Sequence, residues 1–334
     1  MKANSLPVIS LLLLWVISLS ATSADGYVAP RTEWGHPDLQ GVWNFSSEVP
    51  MERPVEFGER QFLSAEELAA MRTEPLRIGR RDNVRQTASG IEAFYNDTIW
   101  MENITTEGEV RTSHIVYPPD GQIPPLAQGV QHQPGGTGRI DGERPVRFAV
   151  GGISRDGPED RGLSERCLVG FNTGPQLMPS VYNNNVQIIQ NRDHVVLLTE
   201  MIHDARIVKL NGPELHADLG LWSGDSTGHW DGDTLVVVTR NFNGLTQSFE
   251  GYGTSKDKVL TERLTRVGPQ TIDYEFTIED QSTFTDRLTA IVPLTRVDAQ
   301  LYEYACHEGN YGMANMLRAA RSREARESSD RVAD

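Results

Sequence analysis

Residues 259–278 read VLTERLTRVGPQTIDYEFTI, and this stretch decides the fold. Its second half alternates strictly between apolar and polar residues, which is typical of a strand with one buried face and one wet face. Its first half is rich in Val, Leu and Thr, and the Gly268-Pro269 pair marks a turn between the two runs. We therefore predict an antiparallel hairpin here. The alternating apolar residues are Ile272, Tyr274, Phe276 and Ile278.

Similar runs, rich in Val, Ile and Thr, occupy much of the chain beyond residue 186; they cover 194–199, 200–210, 234–239, 288–297 and 301–306. Asp231-Gly232 lies between two of them and is a strong hairpin signal. Because no strand–helix–strand alternation appears, we predict a mainly β fold over residues 111–320, an antiparallel barrel or sandwich, with a lipocalin-like barrel among its forms. Roughly eight or more strands can close around a ligand-sized cavity, which favours the barrel.

The segment before this domain, residues 25–110, is predicted to be an extended arm and one short helix that pack on it. Ser64 and Glu67 form a capping box, and the helical pattern ends near Pro75. Residues 118–162 are rich in Gly and Pro and predict a long loop. A second helix is predicted from Asn310, followed by a charged tail, residues 321–334, that we expect to fray.

Residues 1–24 are predicted to be a secretory signal peptide. Lys2 precedes an apolar run at 8–19, and the small residues Thr22 and Ala24 suit cleavage before Asp25. The core of this run, about a dozen residues, is shorter than the roughly 20 needed to cross a bilayer. The mature protein is therefore expected to be periplasmic or secreted, without stable membrane insertion.

The net charge of the chain restricts the classes of molecule that it is expected to bind. The 334 residues include 46 acidic and 31 basic side chains, a formal net charge of −15. A surface of that sign repels phosphate backbones and anionic lipids, which argues against nucleic acid as a partner. We expect a small-molecule ligand or substrate instead, and the composition does not indicate an oligomeric state.

The chain has two cysteines, Cys167 and Cys306, both in the part expected to be exported. An oxidising compartment allows them to form a disulfide. A metal or thiolate site is the alternative, but neither cysteine has a second Cys or a His at zinc-binding spacing, and only His307 adjoins Cys306. We therefore predict that Cys167 and Cys306 form one disulfide, with two inert buried thiols as the alternative.

The sequence contains five distinctive blocks, at 118–126 (PPDGQIPPL), 182–185 (YNNN), 200–206 (EMIHDAR), 228–237 (GHWDGDTLVV) and 302–311 (YEYACHEGNY). Together they resemble a family of secreted bacterial proteins of uncharacterised function. The resemblance covers nearly the whole mature chain, and it implies a bacterial origin, export and a single β-rich unit; it brings no reaction with it. Tyr117 departs from the pattern, since an acidic residue is expected before the Pro-Pro turn.

The run 194–210 carries the first candidate site residues. If it forms one continuous strand, His203 lies on its apolar face, either as a hydrogen-bonded core residue or as a general base tuned by desolvation. The opposite face would hold an ion pair or, because Arg offers a bidentate fork, an anchor for a substrate carboxylate. The candidates are His203 and Glu200 as catalytic residues, and Arg206, Asp204 and Tyr182 as substrate-binding residues.

The run 301–306 carries the second group. Strand alternation would place Glu303 and His307 on one face, where a carboxylate can orient an imidazole that acts as a base. The alternative is an edge strand on which both side chains are simply wet. We predict both as catalytic candidates, with His203 and His307 within reach of a common ligand.

Other familiar chemistry finds no support in the sequence. His229, Asp231 and Asp233 could suggest a metal site, but the hairpin turn explains Asp231 and alternation explains the spacing, so we predict no metal. The fingerprints of zinc proteases, α/β-hydrolases and nucleotide-binding loops are missing from the sequence.

Two functions remain. The first is a secreted enzyme that uses His and carboxylate acid–base chemistry without a cofactor, as a lyase, isomerase or hydrolase of a small organic or sugar-like substrate. The second is a periplasmic ligand-binding or carrier β-barrel without catalysis. Clustering around one pocket would favour the enzyme, and a cavity lined by Tyr and aliphatic residues with the same groups outside would favour the carrier. The groups in question are His203, Arg206, Glu303 and His307.

Overall fold

The structure is a computed structural model that describes residues 27–73, 109–133, 135, 142–171, 174–180, 182–216 and 218–333. The predicted signal peptide, residues 1–24, lies outside the described residues. So do residues 74–108 of the predicted N-terminal arm and helix.

Ten strands and two α-helices make up the regular structure of this described part. The strands are β1 (Gly41–Asn44), β2 (Ile115–Tyr117), β3 (Asn185–Gln190), β4 (His194–Thr199), β5 (Ala205–Leu210), β6 (Asp225–Asp231), β7 (Thr234–Arg240), β8 (Val259–Gly268), β9 (Thr271–Glu279) and β10 (Leu288–Val297). The helices are α1 (Ala65–Thr73) and α2 (Tyr311–Ala333), and short 3₁₀ turns lie at Val55–Phe57, Pro158–Asp160 and Met201–His203.

Nine of these strands close into a barrel. The order is β1-β3-β4-β5-β6-β7-β8-β9-β10, and β1 closes the ring because it pairs with β3 on one edge and with β10 on the other. Trp43 lies opposite Val186 in the first pairing and opposite Arg296 in the second. The tenth strand, β2, pairs with the beginning of β10. The prediction of a mainly β fold is confirmed, in its barrel form.

One strand pair departs from the expected antiparallel pattern. Strands β5 and β6 run parallel, with Val208 opposite Ser226, whereas every other pairing of the barrel is antiparallel. Two parallel neighbours start at the same end of a barrel, so the chain must return along the barrel between them. The described residues between the two strands, 211–216 and 218–224, belong to this return.

Side chains fill the inside of the barrel. Strict alternation on β8, β9 and β10 points every second side chain inwards, and the register aligns Leu264, Tyr274 and Val292 across the three strands. All three are fully buried, as are Trp43 and Phe276. Because large side chains occupy the interior positions, the barrel encloses a packed core, as small barrels commonly do.

A buried ion pair lies inside this core. Arg206 on β5 donates to both carboxylate oxygens of Glu262 on β8, with Nη2 at 2.8 Å from Oε1, and Tyr274 Oη donates to the same carboxylate at 2.7 Å. Arg206 is 4% exposed and Glu262 is not exposed. Arg206 was predicted to lie on a polar face with Glu200 and Asp204. That placement is wrong, because Arg206 points into the barrel.

The N-terminal arm covers one end of the barrel. Leu39 N donates to Gln190 Oε1 at 2.6 Å, Arg266 Nη1 donates to Asp38 O at 2.7 Å, and the rings of His36 and Trp230 stack at 5.2 Å. We name the opposite end, where β4 ends and β5 begins, the loop end. The long segment that follows β2 crosses it and is held to the β7–β8 and β9–β10 loops by backbone hydrogen bonds.

Two predictions about helices meet different outcomes. The capping box is confirmed, since Ser64 N donates to Glu67 Oε2 at 2.7 Å and Glu67 N donates to Ser64 Oγ at 3.2 Å. The prediction of a frayed tail is wrong, because α2 continues without a break to Ala333. Arg321, in the middle of this helix, pairs with Glu324 and donates to Asp156 O at 2.7 Å, which holds this part of the helix to the protein.

Two predicted strands are also corrected. The run 200–210 is not continuous, because a turn at 201–203 separates β4 from β5. The run 301–306 is a loop. Both edges of β10 are already paired, one with β9 and the other with β2 and β1, so the following segment finds no free edge in the closed barrel. The predicted disulfide between Cys167 and Cys306 is confirmed, with the Cα atoms 5.8 Å apart.

Candidate functional site

A small pocket opens at the loop end of the barrel, and we name it the barrel-end pocket. Its volume is about 20 Å³, which suits one water molecule or one small polar group. The turn between β4 and β5 contributes one wall, and the described residues of the segment before β3 contribute another. The polar lining comes from Gln176, Ser180, Asn183, Thr199 and Asp204, and the apolar lining includes Phe45, Phe171 and Met201.

Asp204 is the charged residue of this lining. Its Oδ2 accepts a hydrogen bond from Gln176 Nε2 at 2.6 Å and another from Ser223 Oγ at 2.6 Å. Gln176 Nε2 also donates to Ser223 Oγ at 3.1 Å. Because two donors converge on one oxygen, the carboxylate is held in a single orientation against the pocket.

Glu200 lies at the start of the same turn and is 6% exposed. Asn185 Nδ2 donates to Glu200 Oε2 at 2.7 Å, and Asn44 Nδ2 donates to Asn185 Oδ1 at 3.0 Å. The neighbouring Asn184 accepts from Ser180 N at 2.6 Å. The Asn183–Asn185 run therefore has distinct tasks: the first residue lines the pocket, the second closes a loop, and the third orients a buried carboxylate.

The backbone around the pocket is strained. Ile202 has a φ of 62° and His203 a φ of 45°, and Asn183 across the pocket has a φ of 56°. A β-branched residue at positive φ is a clear outlier, and each such residue costs on the order of 1–3 kcal/mol. Strain of this kind persists where the surrounding structure enforces it, and it clusters at functional sites.

The structure brings together some of the predicted site residues and separates others. Glu200, His203 and Asp204 share the turn beside the pocket. Tyr182 is close by, because its ring contacts the pocket residue Phe171 edge-on at 5.6 Å. Arg206 lies behind the turn, inside the barrel.

The other two predicted residues lie elsewhere. Glu303 and His307 are both exposed, on the loop around Cys306. The strand expected to align these two side chains does not form, and His203 is exposed as well. The expected setting, two imidazoles among apolar strand positions, is therefore wrong for both histidines. Their catalytic roles stay predictions.

Lys258 was missed in the sequence. It is the residue immediately before β8, and its ammonium is buried, donating to Gly174 O at 2.7 Å and to Ser248 O at 3.0 Å. The nitrogen also lies 4.5 Å from the centre of the Phe242 ring. Burial lowers the pKa of Lys258 to about 7, and the charges of Asp280 and Glu262 oppose this shift. The charged stretch 256–258 resembles an exposed turn, so no local pattern signals this burial.

The aspartates of the β6–β7 hairpin are engaged by arginines. Asp231 pairs with Arg263 at 3.1 Å, and Asp233 pairs with Arg31 of the N-terminal arm. In the described part of the chain, no group of three or more His, Cys, Asp or Glu side chains is arranged to hold a metal ion. No helix among the described residues is long and apolar enough to span a membrane.

Comparisons with protein-family models, with curated proteins and with solved structures found no match to this chain. The site must therefore be interpreted from its own geometry.

Proposed function

We propose that the protein is an exported enzyme that performs acid–base chemistry at the barrel-end pocket. Its substrate would be a small organic or sugar-like molecule, and its reaction that of a lyase, isomerase or hydrolase. His203 would exchange the proton, and Asp204 and Glu200 would orient the reacting group, without a cofactor.

The strained turn is the observation that carries this proposal. The same short turn carries the exposed His203 and two carboxylates whose orientations are fixed by hydrogen bonds, Glu200 by Asn185 and Asp204 by Gln176 and Ser223. Left-handed backbone at Ile202 and His203 costs free energy that an ordinary tight turn with Gly or Asn would avoid. A positioned imidazole is the most common general acid or base in enzymes.

The size of the pocket limits how a substrate could bind. A volume of about 20 Å³ accepts one hydroxyl or carbonyl group rather than a whole molecule. The reacting group would therefore enter the pocket, and the remainder would lie across the loop end near His203. The carrier alternative needs ligand space inside the barrel, and the packed core supports it less well than it supports the enzyme.

The proposed location is the periplasm or the extracellular medium. The Cys167–Cys306 disulfide supports it, because disulfides persist in oxidising compartments. The apolar run at 8–19 supports it independently, as a feature of the sequence.

Metabolite profiling tests the proposal. Purified protein is incubated with small molecules extracted from culture medium, and mass spectrometry follows those that it consumes. We expect His203→Gln to slow consumption about 100-fold or more, as loss of a general base typically does, and Asp204→Asn to slow it as well. His216→Gln is the matched control, because His216 is also an exposed histidine beside an aspartate, Asp218. Consumption by His203→Gln at the wild-type rate, or no consumption by the wild type, would contradict the proposal.

A further inference from the structure

A second and larger cavity lies at the loop end, and we name it the side cavity. Its volume is about 460 Å³, within the range of about 300–1,000 Å³ typical of small-molecule sites. Residues from 129–133, 142–153, 253–257 and 282–283 form its walls, and none of them lines the barrel-end pocket.

Backbone hydrogen bonds hold these walls in place. Gln133 N donates to Gly251 O at 2.9 Å, and Ala127 N donates to Thr283 O at 2.9 Å, so the segment between them arches over the cavity. In the wall formed by residues 282–283, Asp280 accepts hydrogen bonds from Ser282 N at 3.0 Å and from Thr283 Oγ1 at 2.8 Å. The cavity is therefore formed before any ligand arrives, which reduces the entropy lost on binding.

The close approach of two walls depends on one glycine. Gly253 has a φ of 62°, and a Cβ atom there would lie 1.9 Å from Thr283 Oγ1. Only a glycine permits both the left-handed backbone and this contact.

The lining combines an apolar floor with polar walls. Phe148 and Ile153 are 5% and 3% exposed and pack with Val146 below the cavity. The walls offer hydroxyl, amide, imidazole and carboxylate groups, among them those of Thr254, Ser282 and Asp257. Hydroxyls both donate and accept hydrogen bonds, and a carboxylate can accept from two donors at once.

The charges of the lining decide between ligand classes. The charged side chains among the described residues that line the cavity, Glu143 and Asp257, are both acidic, which disfavours an anion. Glu143 is already engaged by Arg147 at 3.0 Å and by Gln133 Nε2 at 2.8 Å, which reduces the attraction for a cation. A neutral molecule that presents hydroxyls on its edges and C–H groups on its face suits this lining best.

We propose that the side cavity binds a neutral saccharide of one or two rings. The sugar face would pack on Phe148, and its hydroxyls would bond to Asp257, Thr254 and Ser282. This inference does not depend on acid–base chemistry at the barrel-end pocket.

Saturation-transfer difference NMR with the purified protein tests this site. The probes are glucose, galactose, xylose, maltose and cellobiose, with glucuronate and glucose 6-phosphate as anionic counterparts. We expect a saturable signal from at least one neutral sugar and at least tenfold weaker binding of its anionic counterparts. Thr254→Trp, which fills the cavity, should abolish the signal, and Asp257→Asn should weaken binding about tenfold.

Two controls make the result specific. Asp298→Asn should leave binding unchanged, because that side chain is 93% exposed and does not line the cavity. His203→Gln should also leave it unchanged, which separates this site from the proposed catalytic one. The melting temperature of each variant confirms folding, and Asp257→Asn decides the matter if Thr254→Trp fails to fold. The absence of a signal from every neutral sugar, or a signal unaffected by Asp257→Asn and Thr254→Trp, would overturn the inference.

Discussion

Charged residues inside the barrel are the most unusual feature at the scale of single residues. Arg206 and Glu262 meet in a bidentate pair, and the Tyr274 hydroxyl satisfies a further lone pair of the carboxylate. Such a pair repays its desolvation only when its geometry and its remaining hydrogen bonds are good. Lys258 donates to two backbone carbonyls and lies against the Phe242 ring. Burial lowers its pKa to about 7, so its ammonium titrates near neutral pH.

The lowered pKa of Lys258 predicts how stability depends on pH. Its pKa falls from 10.5 to about 7 on folding, so between these values the unfolded chain binds a proton that the folded protein does not. The free energy of unfolding should therefore rise from pH 7 towards pH 10, by on the order of a few kcal/mol. Below pH 7 both states bind the proton and the contribution to the slope disappears.

Urea unfolding at pH 7 and pH 9.5, at constant ionic strength, measures this slope. Lys258→Met should remove most of it, and Lys256→Met, which changes an exposed lysine two residues away, should keep it. An equal slope in Lys258→Met and wild type would show that another group is responsible.

At the scale of elements, the turn between β4 and β5 connects fold and proposed function. Thr199 N donates to Asp204 O at 3.0 Å, and Thr199 Oγ1 bonds to the backbone oxygen of Met201, so the ends of the turn are closed tightly. Four residues must reverse the chain within this closure. The left-handed conformations of Ile202 and His203 follow from it, and they bring His203 to the surface beside Asp204.

The strain in this turn predicts a conflict between stability and activity. Glycine adopts positive φ without steric cost, and the exposed His203 contributes little packing. His203→Gly should therefore raise the free energy of unfolding by about 0.5–1 kcal/mol while removing activity. Asn211→Gly is the control, because Asn211 also has positive φ, at 54°, and Asn tolerates it well. Denaturant unfolding that shows His203→Gly to be destabilised by more than 1 kcal/mol would reveal a structural role for the imidazole.

At the scale of the whole molecule, the closed barrel leaves the last part of the chain outside the sheet. The disulfide joins Cys306 to Cys167, which lies in the chain between β2 and β3. Next to it, Asn310 Nδ2 donates to Glu165 O at 2.7 Å. The exposed residues Glu303 and His307 lie on this attached segment. The disulfide spans 139 residues of sequence, so it restricts the unfolded chain strongly.

Loss of the disulfide should therefore destabilise the protein. Cys167→Ala/Cys306→Ala should lower the free energy of unfolding by about 2–5 kcal/mol, and it should expose residues 301–310 to limited proteolysis while the β signal in circular dichroism persists. Asn310→Ala removes the bonds of that side chain to Glu165 O and Cys167 Sγ and its cap on Met313 N, and it should cost about 1–2 kcal/mol while leaving the disulfide intact. Equal melting temperatures for the double variant and the wild type would contradict this account.

Local patterns by themselves determined most of the strands. The strands β4 and β10 have the predicted bounds, β7 extends one residue beyond its own, and β8 and β9 form the hairpin predicted at 259–278. Alternation, β-branched residues and turn residues act over a few positions, so a local pattern is enough to predict these strands. The capping box at Ser64 and the pairing of the two cysteines were also predictable. In each of these cases the determining residues are near one another, or no alternative partner exists in the chain.

Only the tertiary structure decided which strand edges were free to pair and which side chains point into the barrel. The run 301–306 has a strand-like composition but stays a loop, because β1, β2 and β9 already occupy both edges of β10. Arg206 points inwards because the turn at 201–203 resets the alternation of 194–210, and its partner Glu262 lies 56 residues away on a different strand. The burial of Lys258 and the gathering of Glu200, Asp204 and Asn183 at one end likewise arise when the barrel closes. Closure pairs distant residues, and no short stretch of sequence contains that information.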